Sequence, residues 1–249
     1  MLNFQEQKEL FALLGKTLKK RVEAYVIGGS AMLFYNLSKT ATKDVDVVAF
    51  SESDRKTLRQ ALERIGFKVF AEPDRKGHPM RLSLGERIVD IFSGSVMHIK
   101  LSESMLARVR EKAEFGNFTA LVASPEDMIF TKCMTDREGD RKDAADIVTR
   151  ANIDWNAVIA EAEWQAKHNP DKIFGVYLFD FLDDLYHNFG AEIPRDVVKR
   201  LIKMYKEGME EAQRRLASDK PDTAPVPKAE PVDPEAPKKR CRPRKEYGF

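Results

Sequence analysis

The sequence holds only two cysteines in 249 residues, Cys133 in a helix-prone segment and Cys241 in a polar stretch near the end. They cannot build a disulfide framework, and neither has metal-ligand spacing around it, so zinc and redox chemistry drop away. Histidine is scarce too. His78, His98, His168 and His187 show no HxxH or HxxxH pair, which removes a histidine metal centre. No run approaches the roughly 18 uncharged apolar residues of a membrane span. The opening MLNFQEQKELF lacks the basic-then-apolar layout of a signal peptide, so the expected address is the cytoplasm, with no membrane partner. Net charge is small, formally +2, and residues 217–249 account for it with 8 Lys/Arg against 6 Asp/Glu. The glycine signatures GxxxxGK[ST] and GxGxxG are both missing, which excludes a P-loop and a Rossmann fingerprint.

What is present is an ordinary globular composition, 43% apolar and 33% charged, in a chain long enough for one large domain or two small ones. Seven of the 12 prolines fall in 217–249, which has almost no large apolar residue before Tyr247 and Phe249. That segment is expected to be a disordered Pro-rich basic tail. Its KKRCRPRK run suits either a phosphate backbone or simple solubilisation.

Periodicity divides the remainder. Asn3 and Glu6 are spaced as a capping box before Leu10, Phe11, Leu13, Leu14 and Leu18 at helical intervals. A β-prone run from Ala24 to Ile27 meets Gly28-Gly29-Ser30, and AMLFYNL then reads as a helix. Asp44 and Asp46 alternate with Val45, Val47 and Val48 in a strand, and residues 54–65 return to helix. RLSL and RIVDIF flank Gly85-Glu86 as a tight hairpin. From Ser124 the pattern is helical nearly to Ser218, with breaks at Asn169-Pro170, Gly190 and Pro194. The expectation is an α+β fold: a mixed sheet with flanking helices over 1–122, an α-helical bundle over 123–216, and the tail over 217–249.

Three carboxylates carry the chemistry. Asp44 and Asp46, two apart on a strand, leave the same face with Cα atoms about 7 Å apart. Asp90 occupies an apolar strand, Ile88-Val89-Asp90-Ile91-Phe92, where an uncompensated carboxylate is costly. A shared divalent cation, Mg²⁺ or Mn²⁺, would remove their repulsion. For the DxD alone, two solvent-facing residues on a half-exposed sheet are the simpler explanation. The glycines shift the balance, because Gly28, Gly29 and Ser30 at a strand-to-helix junction let backbone N–H groups approach a phosphate.

The order GGS, TKDVDVV and a single Asp in an apolar strand resembles the nucleotidyltransferase fold superfamily, related to DNA polymerase β and the minimal nucleotidyltransferases. More narrowly, Lys132 in EDMIFTKCM and the following RKDAADI, with Arg141, Asp143 and Asp146, resemble later motifs of the AbiEii toxins. The resemblance implies a metal-dependent enzyme with Mg²⁺ or Mn²⁺ as cofactor. It would move a nucleoside monophosphate from an NTP such as ATP to a hydroxyl of RNA, tRNA included, of a protein or of a small molecule. In a toxin-antitoxin system an antitoxin would be its partner; a non-catalytic nucleotide- or RNA-binding module is the alternative. By the same resemblance Asp44, Asp46 and Asp90 hold metal, and Asp90 activates the acceptor. Gly28, Gly29, Ser30, Lys132, Arg141 and Asp143 meet the nucleotide, and Asp146 orients its neighbours. Thr40 stands where relatives often carry Arg, with Lys39 beside it. On their own, Lys132, Arg141 and Lys142 equally suit surface pairs with Asp136, Asp140 or Asp143. The aromatic run from Phe174 to Tyr186 suits core packing better than base stacking.

Overall fold

The computed structural model of the protein describes residues 1–35, 37–169 and 172–218. The chain opens on β1 (Leu2–Asn3) and α1 (Phe4–Thr17), and the expected capping box is made: Asn3 accepts from the Glu6 amide while Glu6 accepts from the Asn3 amide. Next, β2 (Val22–Ile27) leads into α2 (Gly28–Met32) and a 3-10 turn, Leu33–Tyr35. This α-helix is shorter than AMLFYNL suggests, because the Ser38 amide bonds to Asp146 and turns the chain back toward the sheet. There follow β3 (Ala41–Thr42), β4 (Asp44–Ala49), α3 (Glu52–Ile65), β5 (Lys68–Ala71), β6 (Met80–Leu84) and β7 (Arg87–Ser93). After β8 (Ser95–Val96), β9 (Ile99–Lys100) and α4 (Glu103–Ala107), a hairpin of β10 (Glu111–Phe115) and β11 (Phe118–Val122) ends the strand-bearing part. Helices complete the chain: α5 (Pro125–Lys132), α6 (Glu138–Arg150), α7 (Trp155–His168), α8 (Phe174–Phe189) and α9 (Arg195–Ser218).

Seven strands form one mixed sheet in the order β10-β11-β2-β4-β7-β6-β5. The two strands that carry aspartates, β4 and β7, are parallel neighbours at its centre. Alternation then sorts their residues. Val45, Val47, Val89 and Ile91 pack with Leu10, Phe11 and Leu14 of α1 and with Leu58 and Leu62 of α3. Asp44, Asp46 and Asp90 are left on the other face. That is the physical origin of the site: one face of β4 and β7 is spent on the core, and its opposite is free to be polar. The fold is the expected mixed sheet with flanking helices.

Two details of the helical half differ from the sequence expectation. The helical half breaks also at 133–137 and 151–154, where Asp154 caps α7 through the Asn156 and Ala157 amides. Ala217 and Ser218, assigned to the tail, still belong to α9, whose alternating charges continue to its end. The rest of the expected tail lies outside the described residues, as does Pro170. The aromatic run is a packed helix, with Phe174, Leu178, Phe181, Leu182 and Leu185 buried.

Candidate active site

Strand register assembles the three carboxylates. Asp46 stands beside Asp90 in the β4–β7 pair, Asp44 two residues away on the same face. One carboxylate oxygen from each lies within 4.8 Å of the other two. Asp90 is buried, while Asp44 and Asp46 are half-buried. Burial, followed by the negative charges of Asp44 and Asp90, pushes the Asp46 carboxyl well above the usual carboxylate range, against the weaker pull of Arg137 and Lys132. Among the described residues its carboxylate accepts no hydrogen bond. Burial also raises Asp90, though Arg81 pulls the other way. Three hard oxygen donors whose mutual repulsion the nearby cations only partly offset fit a divalent cation of the Mg²⁺ or Mn²⁺ type.

Arg81 enters this cluster without having been singled out from the sequence. It faces Asp90 across the β6–β7 pair and donates from Nε to Asp90 Oδ1 at 2.8 Å. Its Nη2 stands 3.7 Å from Asp44 Oδ2. The signal was available, because a two-residue turn at Gly85-Glu86 pairs Leu84 with Arg87, and counting back from there brings Arg81 to Asp90.

Behind the carboxylates lies the glycine turn. Gly28 has φ +60°, and a Cβ there would come 2.7 Å from Asp46 Oδ2, so both the backbone and the space demand glycine. At Gly29 a Cβ would meet Thr42 Oγ1 at 2.5 Å and Lys39 Cε at 2.8 Å. Ser30 is fully buried, and its hydroxyl donates to the Asp44 carbonyl, tying α2 to β4. Beside Gly29, then, a lysine side chain already occupies the space over the turn.

That lysine leads to the helical half. Lys39 Nζ bonds Asp143 Oδ2 at 2.8 Å, and Lys132 Nζ reaches the same oxygen at 2.8 Å and Asp140 Oδ1 at 2.8 Å. Lys132 is buried, so the surface pairing weighed for it is corrected to an interior one: α5 is covered on all sides. Arg141 turns away from this group to Asp184 of α8 and stands 3.7 Å from Asp136. Asp146 accepts from the Ser38 amide and from Arg150. The carboxylates, the glycine turn, Lys132 and Asp143 thus form one neighbourhood, with Lys39 added and Arg141 directed outward.

A second polar group was not foreseen. Arg108 Nη2 bonds Asp127 Oδ1 and Glu161 Oε2, each at 2.6 Å, while Tyr25 and Ser124 donate to Asp127 Oδ2. Burial raises Asp127 despite Arg108 and raises the Tyr25 hydroxyl well above its ordinary value. Both acids are fully satisfied, so the group anchors α5 and α7 to the sheet.

Over residues 4–174 the sequence matches the family described as nucleotidyltransferase of unknown function (DUF6036). No protein of curated function matches it. Among solved structures, the antibiotic-resistance factor ANT(2'')-Ia aligns at 13% identity and a TM-score of 0.45, over 87% of this chain and 100% of its own. JHP933 from Helicobacter pylori aligns at 14% identity and a TM-score of 0.36, over 86% of this chain and 94% of its own.

Proposed function

The chain belongs to the DUF6036 nucleotidyltransferase family, and from that premise we propose that it transfers a nucleoside monophosphate from an NTP to an acceptor hydroxyl, breaking the α–β phosphoanhydride bond and releasing pyrophosphate, with Asp44, Asp46 and Asp90 as cation ligands. The observation that carries this reading is the convergence of three aspartate oxygens within 4.8 Å on the polar face of the central strands. Bound there, Mg²⁺ or Mn²⁺ supplies charge neutralisation at the transferring phosphoryl group. The chain's own residues do the rest. Asp90 accepts the proton of the acceptor hydroxyl, and the Gly28-Gly29-Ser30 turn receives the phosphates. Lys132 and Lys39 share Asp143 and keep their ammonium donors beside that turn. Arg141, engaged with Asp184, serves the nucleotide from farther out. In this division residues 1–122 form the catalytic unit and 123–216 a helical unit that selects the acceptor.

The narrower form of the proposal groups the chain with the AbiEii toxins, with RNA, tRNA included, as acceptor and an antitoxin as partner. Its support is the Lys132–Asp143 ion pair, which joins two residues of the AbiEii-like motifs next to the carboxylates.

The test is thermal unfolding with each NTP and Mg²⁺ or Mn²⁺, because a ligand bound only by the folded state raises stability by mass action. A cation-dependent rise lost in Asp44→Asn is expected. No rise with any NTP in the unaltered protein would sink the proposal. Transfer of label from the stabilising NTP to RNA or protein then identifies the acceptor, and binding without transfer would instead make the chain a nucleotide-binding module.

A further inference from the structure

We propose that Arg81, backed by Phe70, is the positioning residue of the carboxylate cluster, holding Asp90 in its ligating orientation; this rests on the reading of that cluster as a cation site. Asp90 is the most buried of the three carboxylates and sits on the strand farther from the glycine turn, so nothing on the β2 side can orient it. Its one hydrogen bond among the described residues comes from Arg81 Nε, to Oδ1. A carboxylate has two oxygens, and a donor held on the first restricts how the group turns and leaves Oδ2 without a protein donor among the described residues. Arg81 Nη2, at 3.7 Å from Asp44, is beyond hydrogen-bond distance, so the guanidinium is anchored on Asp90 and only adds charge near Asp44.

Phe70 holds the guanidinium from the other side. The β5–β6 ladder slips between Val69 and Ala71, so that Phe70 is the inserted residue of a bulge and Ala71 pairs with Arg81. Two residues of β5 therefore stand against one of β6. The Phe70 ring centroid lies 5.6 Å from the Arg81 guanidinium carbon, within cation–π range. This gives a reason for a phenylalanine that is 53% exposed at the edge of the sheet. With small Ala71 opposite Arg81, the ring can lie along the arginine and limit its rotamers.

The experiment is a Mn²⁺ titration of the full chain without nucleotide, followed by electron paramagnetic resonance of free Mn²⁺. Partners of this kind that orient a metal ligand are worth about 10- to 100-fold in affinity, and Arg81→Met should weaken Mn²⁺ binding by that factor. Arg81→Lys should recover part of the loss, since it restores the charge without the planar fork. Phe70→Ala should weaken binding about two- to fivefold, the size of a cation–π contact at a wet site. Should Arg81→Met fail to fold, the lysine and Phe70 variants carry the test, because both keep a positive charge beside the buried Asp90. Unchanged binding in Arg81→Met, or unchanged binding in both of the other variants, overturns the proposal. So does tighter binding in Arg81→Met, which would make the arginine a competitor for the site. Failure of the underlying reading is seen separately: Asp44→Asn would then bind Mn²⁺ as the unaltered protein does.

Discussion

Asp46 decides how this protein answers to pH. Its carboxyl is held well above the ordinary range by burial and by Asp44 and Asp90, so the folded chain binds that proton more tightly than the unfolded one. Such a group favours folding at low pH, and the benefit is lost as pH rises through the folded pKa. Asp90 and Asp127 are raised in the same way, whereas Asp140 and Asp146 lie below their ordinary values, and their contributions are lost only as pH falls. The difference between the unaltered protein and Asp46→Asn reports what Asp46 adds to the jointly titrating cluster. In chelator, melting followed upward from about pH 4, the ordinary carboxylate pKa, should show the asparagine variant gaining on the unaltered protein as pH rises. A constant gap at all pH values would contradict this account. Added Mn²⁺ at the upper end should restore the unaltered protein and leave the variant unmoved, because charge repulsion and cation binding reside in the same oxygens.

At the level of elements, the glycine turn and the buried Arg108 group set the spacing between sheet and helices. Gly28→Ala forces a side chain into a φ of +60° and toward Asp46 Oδ2, at a cost of about 1–3 kcal/mol for the backbone alone. The melting temperature should fall, and the Mn²⁺-dependent rise should vanish with it, since the added methyl and the carboxylate claim the same space. Arg108→Met leaves Asp127 and Glu161 buried without their cation and should cost about 3–5 kcal/mol in urea unfolding. Combining it with Asp127→Asn and Glu161→Gln should return much of that loss. An additive triple variant would mean that the charges are not the reason the group is there.

These cases also mark what a sequence discloses about elements. The capping box, the glycine turn and the aspartate strand were legible because each depends on neighbours along the chain: a hydrogen bond over three residues, a φ, an alternation of two. The β10–β11 hairpin was within reach as well, since Gly116-Asn117 sits between two extended runs. Arg108 was not. Its partners are 19 and 53 residues away, and nothing local separates an arginine headed for two interior acids from one headed for water. Lys132 shows the same limit: its pairing with Asp140 and Asp143 was among the alternatives, but its burial follows from α6, α7 and the sheet closing over α5.

Across the whole molecule, the helical half is tied to the site by two bonds on one loop. Lys39 binds Asp143 and the Ser38 amide binds Asp146, and both acids belong to α6. The loop runs straight into β3, whose Thr42 donates its hydroxyl to the Asp44 carbonyl and, with Lys39, crowds Gly29. A displacement of α6 is therefore felt at the first metal-ligand candidate through fewer than ten residues of chain. Asp143→Asn should loosen this connection while Lys132 keeps Asp140 as its partner, and Lys39 is partly exposed and can take up water. Global stability should consequently fall by about 1–3 kcal/mol, the range of charge-assisted hydrogen bonds exchanged for neutral ones. Amide hydrogen exchange over residues 38–44 should nevertheless speed up several-fold, because local opening is governed by the bonds that hold the segment and not by the core. If exchange in that segment stays at its original rate, the loop is held by the sheet alone, and α6 has no mechanical hold on the carboxylates. If it speeds up, anything that binds the helical half and moves α6 has a direct physical route to Asp44.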